Sequence, residues 1–120
     1  WVAPFLAEVS AAYAHADLVI ARAGASTIAE LARCGLPSIL IPYPFAGGHQ
    51  RANATLVEAC GGGIVIEESQ AAPERMLREI RGLMMDPTRR RAMGARMRTL
   101  SAPEATTRLS EAIVELAGHR

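Results

Sequence analysis

Residues Arg22–Glu30 read Arg-Ala-Gly-Ala-Ser-Thr-Ile-Ala-Glu, and this stretch decides the fold. An apolar run, Leu18–Ala21, precedes it, and a pattern typical of an amphipathic helix continues through Arg33. A strand that ends in a turn of small residues and opens a helix leaves the first N–H groups of that helix without partners inside the helix. Small residues also let the backbone approach a ligand closely, so the stretch predicts an anion-binding turn.

The start of this helix has two interpretations. In the first, Thr27 and Glu30 form a capping box, whose side chains accept hydrogen bonds from backbone N–H groups at the helix start. In the second, Ser26 and Thr27 present hydroxyls to a ligand, and Glu30 lies one turn further on. Capping boxes occur in many helices that bind nothing, so the local pattern alone favours capping.

Apolar runs and helical patterns alternate on both sides of this stretch. A helical pattern over Phe5–Ala16 precedes the strand at 18–21, and Gly35 is expected to end the helix that opens at Thr27. The other predicted elements are a strand over 37–42, a loop over 43–48, a helix over 49–59, a strand over 64–66, helices over 73–85 and 87–100 with Asp86 as a cap, and a last helix to Ala117 that follows a capping box at Ser101–Glu104.

This order predicts an α/β fold, a Rossmann-like parallel sheet covered by helices on both faces. We assign residues 1–120 to one partial domain, with a βαβαβ core over about 5–68 and a helical tail over about 73–118. Ligands lie at the carboxyl ends of such strands, where the stretches 22–30 and 43–53 should sit side by side. The residues expected to converge there are Ser26, Thr27, Glu30, His49, Gln50 and Asn53.

Composition and charge narrow the classes of function that this chain can have. The formal charge of +1 is too small to indicate nucleic acid binding, although residues 74–120 are basic, and a solvated helix face explains those arginines best. No apolar run approaches the roughly 20 residues of a membrane span, and no secretory signal pattern is present. The chain starts with Trp1, so we expect a fragment of a longer protein.

Metal or cofactor chemistry is not expected. Cys34 and Cys60 fit neither zinc spacing nor a C-x-x-C pair, and the three histidines are scattered, so buried free thiols and no metal are the prediction. The sequence also has no Ser-His-Asp order, paired carboxylate motif or phosphate-binding G-x-x-x-x-G-K-[ST] loop. His49 and Gln50 offer uncharged donors and acceptors that suit sugar hydroxyls. For Asn53, ligand binding and support of the loop backbone are equally open.

Three motifs carry a resemblance to a known family. They are Ala12–Leu31, Gly35–Pro42 and His49–Ala54, and together they resemble the MurG family of bacterial N-acetylglucosaminyltransferases. The likeness is strong over about residues 2–68 and extends to the tail in layout only. It implies part of the C-terminal, donor-binding domain of a GT-B glycosyltransferase, an enzyme with two Rossmann-like domains.

The resemblance also implies a role for each site residue. Phe5 and Leu6 match residues at the uracil ring, and Glu30 matches the carboxylate that binds both ribose hydroxyls. The remaining matches are Ala25, Ser26 and Thr27 at the diphosphate, His49 and Gln50 at the N-acetylglucosamine, and Asn53 in support of the loop. The family often has an acidic residue before the His-Gln pair, where this chain has Gly47-Gly48.

The implied reaction is inverting transfer of N-acetylglucosamine from UDP-N-acetylglucosamine to lipid I, which makes lipid II for peptidoglycan. The base and the lipid I contacts would lie in an N-terminal domain, so we expect no catalytic residue here and an inactive isolated fragment. The implied location of the whole enzyme is the cytoplasmic face of the inner membrane. A sheet missing its earlier strands would be open to self-association.

Two other functions stay open. One is the donor-binding domain of another GT-B glycosyltransferase, acting on a natural product or glycolipid. Those enzymes tend to carry His-Gly-Gly where this chain has Arg22-Ala-Gly24. The other is a non-catalytic module that uses the same fold for protein contacts.

Overall fold

The strand β2 (Ser38–Leu40) lies at the centre of a three-stranded parallel sheet. In the computed structural model, which describes residues 1–102 and 105–118, β1 (Val19–Ala21) and β3 (Gly63–Val65) pair with its two edges. All three residues of β2 are buried, because helices cover both faces of the sheet. The predicted α/β class and parallel sheet are confirmed.

Six α-helices accompany these strands in the described part of the chain. They are α1 (Val9–His15), α2 (Ala25–Cys34), α3 (His49–Cys60), α4 (Pro73–Met84), α5 (Pro87–Arg98) and α6 (Ala105–Gly118). Gly35 and Gly61 end α2 and α3 in the left-handed conformation, with φ of 66° and 78°. Their N–H groups return to carbonyls of the preceding turn. The predicted end of α2 at Gly35 is confirmed, and α3 ends one residue beyond the predicted 59.

The predicted start of α1 is wrong. The helix begins at Val9 and not at Phe5, and Glu8 before it has a non-helical backbone with φ of −111° and ψ of 69°. Phe5 is 82% exposed, whereas Tyr13 packs against the core. A short helix is stabilised mainly by tertiary packing, so the helical pattern becomes a helix only where it meets the rest of the fold.

The core has two parts, one on each face of the sheet. Side chains alternate between the faces of a strand, so Leu40 enters one part and Ile39 the other. The first part consists of Ala23, Leu31, Ala32, Leu36, Leu40, Ala54, Val57 and Met97. The second consists of Ile39, Ile66, Leu83 and Met93. Helix α5 contributes to both and therefore joins the tail to the sheet.

Several arginines of α5 contact the ends of other helices. Arg98 donates to the Cys34 carbonyl oxygen at 3.2 Å, and Arg90 donates to the Leu83 carbonyl oxygen at 2.7 Å. These contacts bring positive charge to the carbonyl ends of α2 and α4, where it is stabilising. Two arginines of the basic tail thus contact other helices, although Arg98 itself remains exposed.

The cap of α5 was predicted correctly. The Asp86 side chain accepts a hydrogen bond from the Arg89 backbone N–H at 3.0 Å. The predicted capping box at Ser101–Glu104 includes residues 103 and 104, which lie outside the described residues. Cys34 and Cys60 are free and half-buried. Across the described residues, no helix has the length and apolarity to cross a membrane, and no His, Cys, Asp and Glu cluster suits a metal.

Candidate functional site

The start of α2 carries no side-chain cap. Gly24 is the N-cap, with an extended backbone, and the first intrahelical bond runs from the Ile28 N–H to the Gly24 carbonyl at 3.0 Å. The helix begins at Ala25, which puts Thr27 inside the first turn, so the predicted capping box is wrong. Ser26 is exposed and Thr27 is half-buried. The N–H groups of 25–27 have no partner inside the helix and remain suited to an anion.

Gln50 and Asn53 of α3 join the two polar stretches at the carboxyl ends of β1 and β2. Gln50 Oε1 accepts hydrogen bonds from the Ala23 N–H at 3.1 Å and the Tyr43 N–H at 2.9 Å. Asn53 Nδ2 donates to the Ala23 carbonyl at 3.0 Å. The two stretches therefore lie side by side, as predicted. Asn53 makes the loop-supporting contact, and Gln50 uses its carbonyl oxygen in the same way.

His49 begins α3 and is exposed to solvent. The two residues before it, Gly47 and Gly48, both have left-handed backbones, with φ of 73° and 74°. A Cβ built on Gly47 would lie 3.3 Å from His49 Nε2. An acidic residue in this pair would be strained because residues with a Cβ adopt such a φ reluctantly. The loop thus reaches His49 by a backbone path that requires glycine.

Glu30 lies on the exposed side of α2, beside Tyr13 of α1. Burial raises the pKa of the Tyr13 phenol above its ordinary 10.0, and the charge of the Glu30 carboxylate and a hydrogen bond with it raise that pKa further. Glu30 therefore lies on the part of α2 that faces α1.

Phe5 and Leu6 lie in the irregular segment before α1. The Phe5 ring is exposed and Leu6 is half-buried. Phe5 thus leaves an aromatic surface open just before α1, a helix that contacts α2.

Sequence reasoning gave no role to a second polar group at the strand ends. Arg22 pairs with Glu68 at 2.6 Å, donates to the Ile41 carbonyl at 3.3 Å, and places its guanidinium 5.8 Å from the centre of the Tyr43 ring. Tyr43 in turn makes an edge contact with Phe45. The available signal was positional: Arg22, Tyr43 and Glu68 each follow a different strand of one parallel sheet.

A cavity of about 420 Å³ opens beside this group. Its lining is formed by Ile20, Ala21, Arg22, Ile41, Glu68 and Ala71. The polar ends of β1 and β2 thus have an open depression on one side and the uncapped start of α2 on the other. The start of α2 has free N–H donors and the hydroxyls of Ser26 and Thr27, which suit binding of a polar anionic ligand.

Residues 1–109 match the sequence profile of the glycosyltransferase family 28 C-terminal domain. The chain belongs to this family. The relatives of this family 28 domain include proteins named UDP-N-acetylglucosamine–N-acetylmuramyl-(pentapeptide) pyrophosphoryl-undecaprenol N-acetylglucosamine transferase. The protein from Mycobacterium avium (strain 104) is 42% identical over 94% of the chain, and that from Mesorhizobium japonicum is 42% identical over 99%.

A solved structure is also similar to this family 28 domain. The crystal structure of Acinetobacter baumannii MurG superposes with a TM-score of 0.84 and 32% identity over 96% of the chain. The resemblance to MurG is therefore confirmed. The chain covers 33% of that structure, and 28% and 32% of the two relatives, so it spans about a third of their length.

Proposed function

We propose that this family 28 domain binds UDP-N-acetylglucosamine and forms the donor-binding part of an inverting N-acetylglucosaminyltransferase. In this proposal the whole enzyme transfers N-acetylglucosamine to lipid I and makes lipid II for peptidoglycan. The observation that carries it is the uncapped start of α2, held by Gln50 and Asn53 against the 43–53 stretch, with Glu30 one turn along. The names of the relatives support the same donor and acceptor.

The start of α2 would hold the diphosphate. The backbone N–H groups of Ala25, Ser26 and Thr27 and the positive end of the helix favour negative charge, and the two hydroxyls add donors. Glu30 would accept hydrogen bonds from both ribose hydroxyls, a contact strengthened by the charge of an ionised carboxylate. The four residues lie within about one and a half turns of a single helix, which suits a contiguous ribose-diphosphate unit.

The other ends of the donor would meet the neighbouring segments. Phe5 would lie at the uracil ring and Leu6 would read its edge through the backbone. His49 and the Gln50 amide nitrogen would face the N-acetylglucosamine hydroxyls. Asn53 would act indirectly, because its amide supports the Ala23 carbonyl.

We assign no catalytic residue, metal or cofactor to this chain. The proposed base and the lipid I contacts belong to an N-terminal domain of the complete enzyme, which would work as a peripheral protein at the cytoplasmic face of the inner membrane. A departing UDP needs its developing negative charge stabilised, and the start of α2 would supply part of that stabilisation.

Replacement of Glu30 tests the ribose contact. In the full-length gene product that contains this chain, Glu30→Ala should cost about 2–4 kcal/mol of donor binding, roughly a 30- to 900-fold rise in the donor KM, because two charge-assisted hydrogen bonds are lost. Glu58→Ala is the matched control, since it removes an exposed carboxylate from the last turn of the neighbouring helix α3. An equal donor KM in both variants would reject the role of Glu30.

Comparison of donors tests the wider proposal. Transfer to lipid I with UDP-N-acetylglucosamine, and little transfer with UDP-glucose, is the expected result. Use of UDP-glucose with another acceptor would favour a different GT-B enzyme. In the 120-residue chain, NMR titration with UDP-N-acetylglucosamine should shift the amides of residues 24–30. The absence of any shift with either nucleotide would favour a non-catalytic module.

A further inference from the structure

Two aromatic side chains, Tyr43 and Phe45, lie exposed on the loop that leads from β2 to α3. Aromatic residues make up only 4% of the chain, yet Tyr43 is 43% exposed and Phe45 is 66% exposed. Neither ring belongs to the two core clusters of the described residues. Single exposed apolar residues are common on protein surfaces, whereas contiguous apolar patches with a polar rim mark binding sites. The pair therefore indicates a binding role for this loop.

Contacts with the strand ends hold the two rings in place. The Tyr43 N–H donates to Gln50 Oε1 at 2.9 Å, which fixes the backbone at the start of the loop. The Arg22 guanidinium lies 5.8 Å from the centre of the Tyr43 ring, and Glu68 holds that guanidinium at 2.6 Å. The ring centres of Tyr43 and Phe45 are 5.3 Å apart, with an edge-to-face angle of 68°. Because the rings are already ordered, a ligand that packs on them loses less affinity to entropy.

The neighbouring polar groups indicate the kind of ligand that fits. His49 and the Gln50 amide nitrogen, a few residues further along the chain, are the proposed partners of sugar hydroxyls. A pyranose ring carries hydroxyls at its rim and C–H groups on its faces, so it needs polar partners at the rim and an apolar flat surface against one face. An aromatic ring supplies such a surface, and residues 43–50 therefore offer both kinds of contact.

We infer that Phe45, supported by Tyr43, forms an aromatic platform on which the apolar face of a pyranose ring stacks. The inference rests on the proposed function and adds a specificity-determining residue to it. Both substrates of the proposed reaction bring a pyranose, which is N-acetylglucosamine in the donor and the N-acetylmuramyl sugar in lipid I. The chemistry of stacking is the same for the two sugars, and separate measurements on donor and acceptor distinguish them.

Calorimetry on the full-length gene product tests the donor sugar. Phe45→Ala should weaken binding of UDP-N-acetylglucosamine about three- to tenfold, the range of one aromatic contact, and change binding of UDP, which has no pyranose, by less than about 1.5-fold. Phe45→Tyr keeps a ring and should bind the donor within about twofold of the unsubstituted protein. Phe45→Leu keeps an apolar side chain without a ring and should lose as much as Phe45→Ala.

Initial rates test the acceptor sugar. If the platform takes the sugar of lipid I, Phe45→Ala should raise the KM for lipid I about three- to tenfold at saturating donor and leave binding of both nucleotides unchanged. Met85→Ala is the matched control for both measurements, because Met85 is an apolar residue that is 84% exposed at the end of α4. A loss in either the donor or the acceptor measurement, with recovery in Phe45→Tyr, supports the platform.

Three results would overturn the platform. The first is a Phe45→Ala variant that differs from Met85→Ala in neither measurement. The second is an equal loss of affinity for UDP and UDP-N-acetylglucosamine, which would show that the loop acts on the nucleotide site as a whole. The third is a Phe45→Tyr variant that binds as weakly as Phe45→Ala.

The unsubstituted protein separates this inference from the proposed function. Absence of transfer from UDP-N-acetylglucosamine to lipid I would reject the proposed function and the platform with it. Normal transfer by the unsubstituted protein, with any of the three overturning results, would reject the platform alone. Phe45 is largely exposed, so Phe45→Ala should melt at the same temperature as the unsubstituted protein. If it melts lower, the comparison of Phe45→Leu with Phe45→Tyr decides in its place.

Discussion

Gln50 is the residue whose loss should do most damage to the candidate site. Its side-chain oxygen accepts two backbone hydrogen bonds, from Ala23 at 3.1 Å and Tyr43 at 2.9 Å, and so links the ends of β1 and β2. Ala23 is fully buried, so the Gln50→Ala variant leaves its N–H without a partner and out of reach of water. The N–H of Tyr43, a residue that is 43% exposed, can turn to solvent instead.

The expected cost follows from these two environments. A buried donor left unpaired costs about 1–3 kcal/mol, and the loss of an exposed hydrogen bond adds roughly 0.5–1 kcal/mol. Together the free energy of unfolding should fall by about 2–4 kcal/mol, a large share of the 5–15 kcal/mol typical of a domain. Gln50→Glu keeps an acceptor in the same place and should retain most of the stability.

Urea unfolding of the 120-residue chain measures this cost, and hydrogen exchange by NMR locates it. The amides of Ala23 and Tyr43 should exchange faster in Gln50→Ala than in Gln50→Glu. Gln70→Ala is the matched control, because Gln70 is exposed and its oxygen accepts an exposed hydrogen bond from Arg75 at 2.9 Å. A Gln50→Ala variant that loses no more stability than Gln70→Ala would refute the proposed link between the two loops.

Three more predictions concern stability and assembly. A Cβ at Gly94 would lie 2.4 Å from the Gly35 carbonyl oxygen, so Gly94→Ala should lower the free energy of unfolding by about 1–3 kcal/mol. Gly82 lies in open space on α4, so Gly82→Ala should raise the free energy of unfolding by about 0.5–1 kcal/mol. Equal urea midpoints for the two variants would contradict this prediction. Because burial raises the pKa of Tyr13 in the folded state, the contribution of Tyr13 to stability should be fully present below pH 10.0 and be lost as the pH rises past that value. Urea unfolding at alkaline pH should therefore show a smaller loss of stability in Tyr13→Phe. Ile20 is 45% exposed on β1, an edge strand that is open to pairing with another copy of the chain. Light scattering should therefore detect oligomers of the unsubstituted chain, and Ile20→Lys should reduce them. An unsubstituted chain that is monomeric would contradict this prediction.

Much of the secondary structure depends on neighbouring residues and can be predicted from the sequence. Gly35 and Gly61 end helices because a left-handed residue is needed there, and Asp86 followed by proline starts one because it offers an acceptor to a free N–H. Short apolar runs between helical patterns predict buried parallel strands, and the carboxyl ends of such strands must meet. That reasoning placed the 22–30 and 43–53 stretches together.

Other features could not be read locally because they depend on what lies across space. The start of α1 at Val9 is set by where the helix meets the core, and a periodic pattern does not reveal that position. The capping pattern at Thr27 is present in sequence, yet the helix begins at Ala25 because Gly24 takes the N-cap position. A pattern of residue types cannot choose between two registers when both satisfy it.

The sequence by itself determined the class of the fold, the family, and which two stretches form the candidate site, because hydrophobic period, glycine positions and motifs are properties of neighbouring residues. Only the tertiary structure decided what the polar side chains do. In the folded chain, the oxygen of Gln50 and the amide of Asn53 bind the backbone of Ala23. Tyr13 lies near Glu30, and Glu68 pairs with Arg22. These partners are 17 to 46 residues apart, and only packing of helices and strands brings them within reach.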